Sequence, residues 1–70
     1  MMRYAVVIET AKNGTISAYV PDLPGCVAIG RTVAAVKKEI RAAIRFHIEG
    51  LKADGIEIPA PTSIADYVEA

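Results

Sequence analysis

The stretch VPDLPGCVAIGRT, residues 20–32, carries the chain's only cysteine among closely spaced prolines and glycines, so a chemical site would first be sought there. Cys26 could act as a nucleophile if a neighbouring base held it as the thiolate, the reactive form of the side chain. The only histidine is His47. At about 100° of rotation per residue it falls on the apolar stripe of a helix that opens after Thr32, which makes it a hydrogen-bonded residue at the core margin. Cys26 then reads as a small packing residue. One cysteine and one histidine supply neither a disulfide nor a zinc-ligand set, so no metal and no cofactor is expected. A phosphate loop would need a run of free backbone N–H groups closed by Gly-Lys-Ser/Thr at a helix start. Pro21 and Pro24 remove donors from this stretch instead.

The remaining titratable groups fall into two sets. A metal-dependent nuclease would need several carboxylates converging on one point. Glu9, Asp22, Glu57, Asp66 and Glu69 are spread over a strand, a bend and a closing segment with no spacing that predicts convergence. The chain is therefore read as a non-enzyme. Arg31, Lys37, Lys38, Arg41, Arg45 and Lys52 concentrate positive charge in one segment. Lys38, Arg41, Arg45 and Lys52 share an arc of about 60° on a helix. That face could meet phosphate, or be an ordinary solvated face.

The elements that must carry these groups follow from the pattern. RYAVVIET and TISAYV are β-rich runs joined by AKNG, a hairpin signal. A two-residue Asn13-Gly14 loop would scatter the aliphatics over both faces. A three-residue connection, with Gly14 left-handed in a bulge, pairs Ile8 with Ala18 and Val6 with Val20, and places Tyr4, Val6, Ile8, Ile16, Ala18 and Val20 on one face. A third strand is expected at about residues 26–30. Thr32 is the expected N-cap of a helix reaching about Ala53 and stopped at Gly55. Its stripe is Val33, Val36, Ile40, Ala43, Ile44, His47 and Leu51, with Ile48 at the margin. GIEIPAPTS is a proline-stiffened connector, and residues 64–69 form a short final strand or a helical turn.

The opposite sheet face keeps Val7 and Tyr19 beside Glu9 and Ser17, and Phe46 points away from the helix stripe. These apolar groups suit a homodimer or higher oligomer, with Val7, Tyr19 and Phe46 as the self-association residues. At 70 residues and 53% hydrophobic content the chain can bury one core, so residues 1–70 read as one domain. The formal net charge of zero gives no general pull toward nucleic acid or an anionic membrane. The opening run MMRYAVVIET is too short for a signal-peptide core or a membrane span, which points to the cytoplasm.

The segment PDLPGC with Gly30 and Thr32 after it, the opening strand over residues 4–9 and the GIEIPAPTS stretch together resemble the HicB-like antitoxin family over nearly the whole chain. The resemblance implies an α+β, two-layer β-β-β-α-β fold. An antiparallel three-stranded sheet and a final short strand would carry one helix on one face, like a truncated ribonuclease H. It also implies a partner, a HicA-type toxin that cleaves mRNA, held inactive by protein–protein contact. An exposed Asp22 and Leu23 in the bend, with Glu9 on the neighbouring sheet, are the expected contact residues, since an RNA-binding toxin presents a basic surface. Many members carry a DNA-binding segment after this domain; none follows here, so direct DNA binding is not expected. Two other readings stay open: a small RNA-binding protein using the basic helix face, and a solitary self-associating domain without a toxin.

Overall fold

A computed structural model of the chain describes residues 2–70. Three strands, β1 (Val7–Thr10), β2 (Ile16–Tyr19) and β3 (Val27–Gly30), precede one long helix, α1 (Val33–Ala53). The sheet order is β1-β2-β3, antiparallel throughout, an α+β arrangement with both outer strands as free edges.

The hairpin adopts the bulged register. Ile8 pairs with Ala18 and Thr10 with Ile16. The Gly14 amide donates to the Ala11 carbonyl at 3.0 Å, and Ala11 N–H donates to Thr15 O at 2.8 Å. Gly14 has φ +86°, a left-handed conformation that costs a residue with a Cβ much more than glycine. Asn13 Oδ1 accepts from the Thr15 amide at 2.9 Å, fixing the exit from the turn. The ladder closes at Val7–Tyr19 and does not continue to the expected Val6–Val20 pair. Val20 N–H donates instead to Cys26 O at 3.2 Å, closing the base of the next loop.

That loop is two successive β-turns sharing one residue. Leu23 N–H donates to Val20 O, and Cys26 N–H to Leu23 O, each at 3.1 Å. Pro21 and Pro24 each occupy the second position of a turn, where the ring presets φ. The shared corner residue, Leu23, is thereby turned inward and is fully buried. The expectation of an exposed Leu23 is corrected here: the double turn is a plug for the core.

The core comprises Ile16, Ala18, Val20, Leu23, Cys26, Val36 and Ile40, with Tyr4, Val6, Ala28, Ala43 and Ile44 packed around it. Thr32 caps α1, its Oγ1 accepting from the Ala35 amide at 3.1 Å. Beyond the cap at Asp54, the Gly55 amide donates to Lys52 O and the Ile56 amide to Leu51 O, the paired bonds of a Schellman ending. The helix lies over β3 and β2 rather than over β1. Gly30 permits this, because a Cβ there would stand 3.0 Å from Val36 Cγ2. The lateral offset explains two departures from expectation: Val33 of the helix stripe is exposed, and Ile8 of the aliphatic sheet face remains partly open.

No strand or helical turn forms in residues 56–70, so the expected final strand at residues 64–69 is not observed. Pro59 and Pro61 lack amide donors, and this segment is held through side chains rather than a ladder. Tyr4 Oη donates to Pro59 O at 2.6 Å. Among the described residues no helix is long and apolar enough to cross a membrane.

Candidate functional site

The sheet has a face that the helix does not cover. Strand alternation places Val7, Tyr19 and Val27 in one row across it and Glu9, Ser17 and Ile29 in the next, following the observed pairings. Tyr19, Val27 and Ile29 are exposed, and Val7 is half-buried. Glu9 is exposed at the β1 end of its row. Sequence reading singled out Val7, Tyr19 and Glu9, and missed Val27 and Ile29. The signal was present in the VAI run once β3 paired through Ala18–Ala28, which turns its neighbours outward.

This apolar surface turns the β3 edge. A shallow depression of about 330 Å³ there is lined by Val27, Ile29, Ala42, Ala43 and Phe46. Phe46 is 83% exposed. Val7 and Tyr19 are therefore cross-strand neighbours, while Phe46 belongs to the same apolar band by way of β3. Phe46 is thus a large aromatic side chain left in water beside the exposed Val27 and Ile29.

Asp22 has a different place from the one expected. Its carboxylate is half-buried and accepts four hydrogen bonds from the segment that follows α1. Oδ2 takes the amides of Thr62 and Ser63, both at 3.0 Å, and Oδ1 takes the hydroxyls of Thr62 at 3.0 Å and Ser63 at 2.9 Å. The Ser63 amide above all, with the two hydroxyls and the Thr62 amide, holds the carboxyl below its ordinary range against the opposing effect of desolvation. Asp22 thus fastens the connector to the bend. The Thr-Ser pair after Pro61 was the sequence signal for it, since adjacent hydroxyls and amides in an extended stretch can chelate one carboxylate.

The groups first considered for chemistry stay apart from these surfaces. Cys26 is buried and its thiol is pushed up by that burial, which disfavours the thiolate. His47 is half-buried on α1. Among the described residues no cluster of three or more His, Cys, Asp or Glu side chains is arranged to hold a metal ion. Lys38, Arg41 and Arg45 do not form an isolated basic face. They border an open groove between β1 and α1 whose floor includes Val6, Ile8, Val33, Ile40 and Ile44.

Residues 4–70 match the family model described as the HicB-like antitoxin of bacterial toxin-antitoxin systems. An uncharacterised 14.9 kDa protein from the rep-hol intergenic region of Haemophilus phage HP1 is 37% identical over 67 residues, covering 96% of this chain and 50% of that protein. The chain therefore spans half the length of this phage relative. A UPF0150 protein from Thermoplasma acidophilum is 40% identical over 58 residues, covering 83% of this chain and 84% of its own. Another from Archaeoglobus fulgidus is 31% identical over 48 residues, covering 69% and 70%. The chain belongs to the HicB-like antitoxin family.

Proposed function

We propose that this member of the HicB-like antitoxin family is a binding module that neutralises a HicA-type mRNA-cleaving toxin in the cytoplasm by covering the toxin's surface, without catalysis of its own. The observation that carries the reading is the uncovered sheet face, where Tyr19, Val27 and Ile29 are exposed beside Glu9. An apolar centre supplies contact area, and an acid at its margin suits the basic surface of an RNA-cleaving protein. The contact runs through the sheet face and the β3 edge rather than through the bend, because Leu23 is buried and Asp22 is engaged with Thr62 and Ser63. Those two residues act on binding indirectly, one by filling the core and the other by fastening the connector.

The test is calorimetry with a cognate toxin. Tyr19→Asp and Glu9→Lys should weaken binding, whereas Arg41→Glu combined with Arg45→Glu should change it little. The reverse ranking would make the helix the recognition surface and defeat the reading. The exposure of Phe46 beside Val27 and Ile29 favours a second reading of the same band, in which Val7, Tyr19 and Phe46 pack against another copy of the chain.

A further inference from the structure

The β3 edge of the sheet is left open in a form that specifies what can close it. In an antiparallel pair, successive residues of a strand point their backbone N–H and C=O groups alternately to its two sides. Val20 N–H donates to Cys26 O, and Ala11 N–H to Thr15 O. Both bonds fall on the observed registers, so Ile16 and Ala18 turn their backbone groups toward β3, and Ser17 and Tyr19 toward β1. On β3 the groups of Ala28 and Gly30 therefore face β2, while those of Val27 and Ile29 face outward. Among the described residues, neither Val27 nor Ile29 makes a backbone hydrogen bond outside the ladder.

Open edges are ordinarily guarded by a lysine, a proline or a bulge. The β3 sequence VAIG has no such guard, and Val27 and Ile29 are 61% and 70% exposed. A row of free donors and acceptors is matched by another extended chain, which repeats its own N–H and C=O groups at the same spacing. The shallow depression beside the edge adds a side-chain preference. Residues of an added strand alternate between the uncovered sheet face and the helix side. Those on the helix side meet Ala42, Ala43 and Phe46, with Glu39 on the same wall. That wall suits a basic residue whose aliphatic stem lies on Phe46 and whose charge reaches Glu39. The VAIG strand carries no cation, so a second copy of it lacks the complementary charge.

We propose that the β3 edge receives a strand of the toxin, extending the three-stranded sheet by one through the backbone of Val27 and Ile29, with a Lys or Arg of that strand against Glu39. The inference rests on the toxin reading and deepens it. The uncovered face supplies apolar area, and the edge sets the register and direction in which the toxin lies.

Amide hydrogen exchange of the full chain, alone and with the purified cognate toxin, tests these bonds without any substitution. The Val27 and Ile29 amides should exchange quickly in the free protein and slow by at least about tenfold in the complex, because exchange then waits on opening of the new bonds. The Ala28 amide, already in the ladder, should be protected in both. Calorimetry supplies the second measurement. Ile29→Pro removes an outward donor only, at a position where an edge strand tolerates proline, and should bind toxin about tenfold more weakly than Ile29→Ala. Glu39→Lys should weaken binding as well. Unchanged exchange at Val27 and Ile29, in a complex that Tyr19→Asp still weakens, would overturn strand addition and leave the toxin on the face alone. Equal affinities of Ile29→Pro and Ile29→Ala would do the same. Slow exchange at both amides without toxin, strengthening with protein concentration, would mean that a second copy closes the edge and would also overturn the proposal. A parent chain that binds no toxin would be a different failure, defeating the toxin reading itself and this inference with it.

Discussion

Replacing Leu23 by alanine separates the two possible roles of the proline-rich bend. In the structure Leu23 is fully buried at the corner shared by two β-turns. Truncating a buried leucine removes its transfer free energy and leaves a cavity, together about 3 kcal/mol in a range of roughly 2–5. The chain has 70 residues, and at roughly 0.05–0.15 kcal/mol per residue its whole stability is about 3.5–10 kcal/mol. One side chain would then account for roughly 30% or more of the total. In a domain of this size each 1 kcal/mol moves Tm by roughly 4–8 °C, so Leu23→Ala should melt about 12–24 °C lower. An exposed leucine in a binding loop would change stability by only about 0.5 kcal/mol, a shift under roughly 4 °C. The assay is thermal melting followed by circular dichroism, paired with urea titration to establish that the midpoint falls while the slope is kept. Leu23→Met, which conserves most of the volume, should cost less than about 1.5 kcal/mol. A Leu23→Ala protein that melts within about 4 °C of the parent but binds toxin poorly would refute the core-plug account and restore the bend as a recognition loop.

The two non-turn glycines should respond with opposite signs. Gly30→Ala forces a Cβ against Val36 and should destabilise by about 1–3 kcal/mol, whereas Gly50→Ala, with open space in the last turn of α1, should stabilise by about 0.5–1 kcal/mol; paired denaturant titrations check both. Cys26 should resist a thiol reagent in the native state and react only as the protein unfolds, because it is buried with its pKa raised; rapid labelling under native conditions would contradict this. The Asp22 contact should depend on pH. Because the folded carboxyl lies below its ordinary 3.8, the stabilisation it provides is fully present above that value and is lost as pH falls through the lower folded pKa. The Thr62 and Ser63 amide resonances should therefore move together on acidification, and Asp22→Asn should remove the transition. Resonances that titrate unchanged in Asp22→Asn would rule out the carboxylate as their partner.

What was legible in the sequence was whatever local chemistry and periodicity determine together. The AKNG connection, aliphatic alternation and the need to keep one face dry selected the bulged hairpin, and Thr32 and Gly55 marked the helix ends observed. The double turn was legible as a rigid bend, but the direction of Leu23 was not. Pro21 and Pro24 preset two turns, yet only their shared corner determines that the side chain points to the core. Asp22 was misplaced for a related reason, since its partners lie 40 and 41 residues away. No local pattern encodes so distant a pairing.

The lateral position of the helix was beyond reach of sequence as well, and it governs how the surfaces divide. A stripe of apolar residues says that α1 packs on the sheet, not which strands it covers. Close approach at Gly30 seats it over β3 and β2, and the same displacement opens the groove along β1. One glycine contact therefore has consequences on both sides of the molecule. It brings Phe46 to the β3 edge, continuous with the uncovered sheet face, and it leaves Val6, Ile8 and Val33 under a cationic rim on the other side. The molecule therefore carries an apolar band margined by Glu9 on one side and an apolar groove margined by cations on the other.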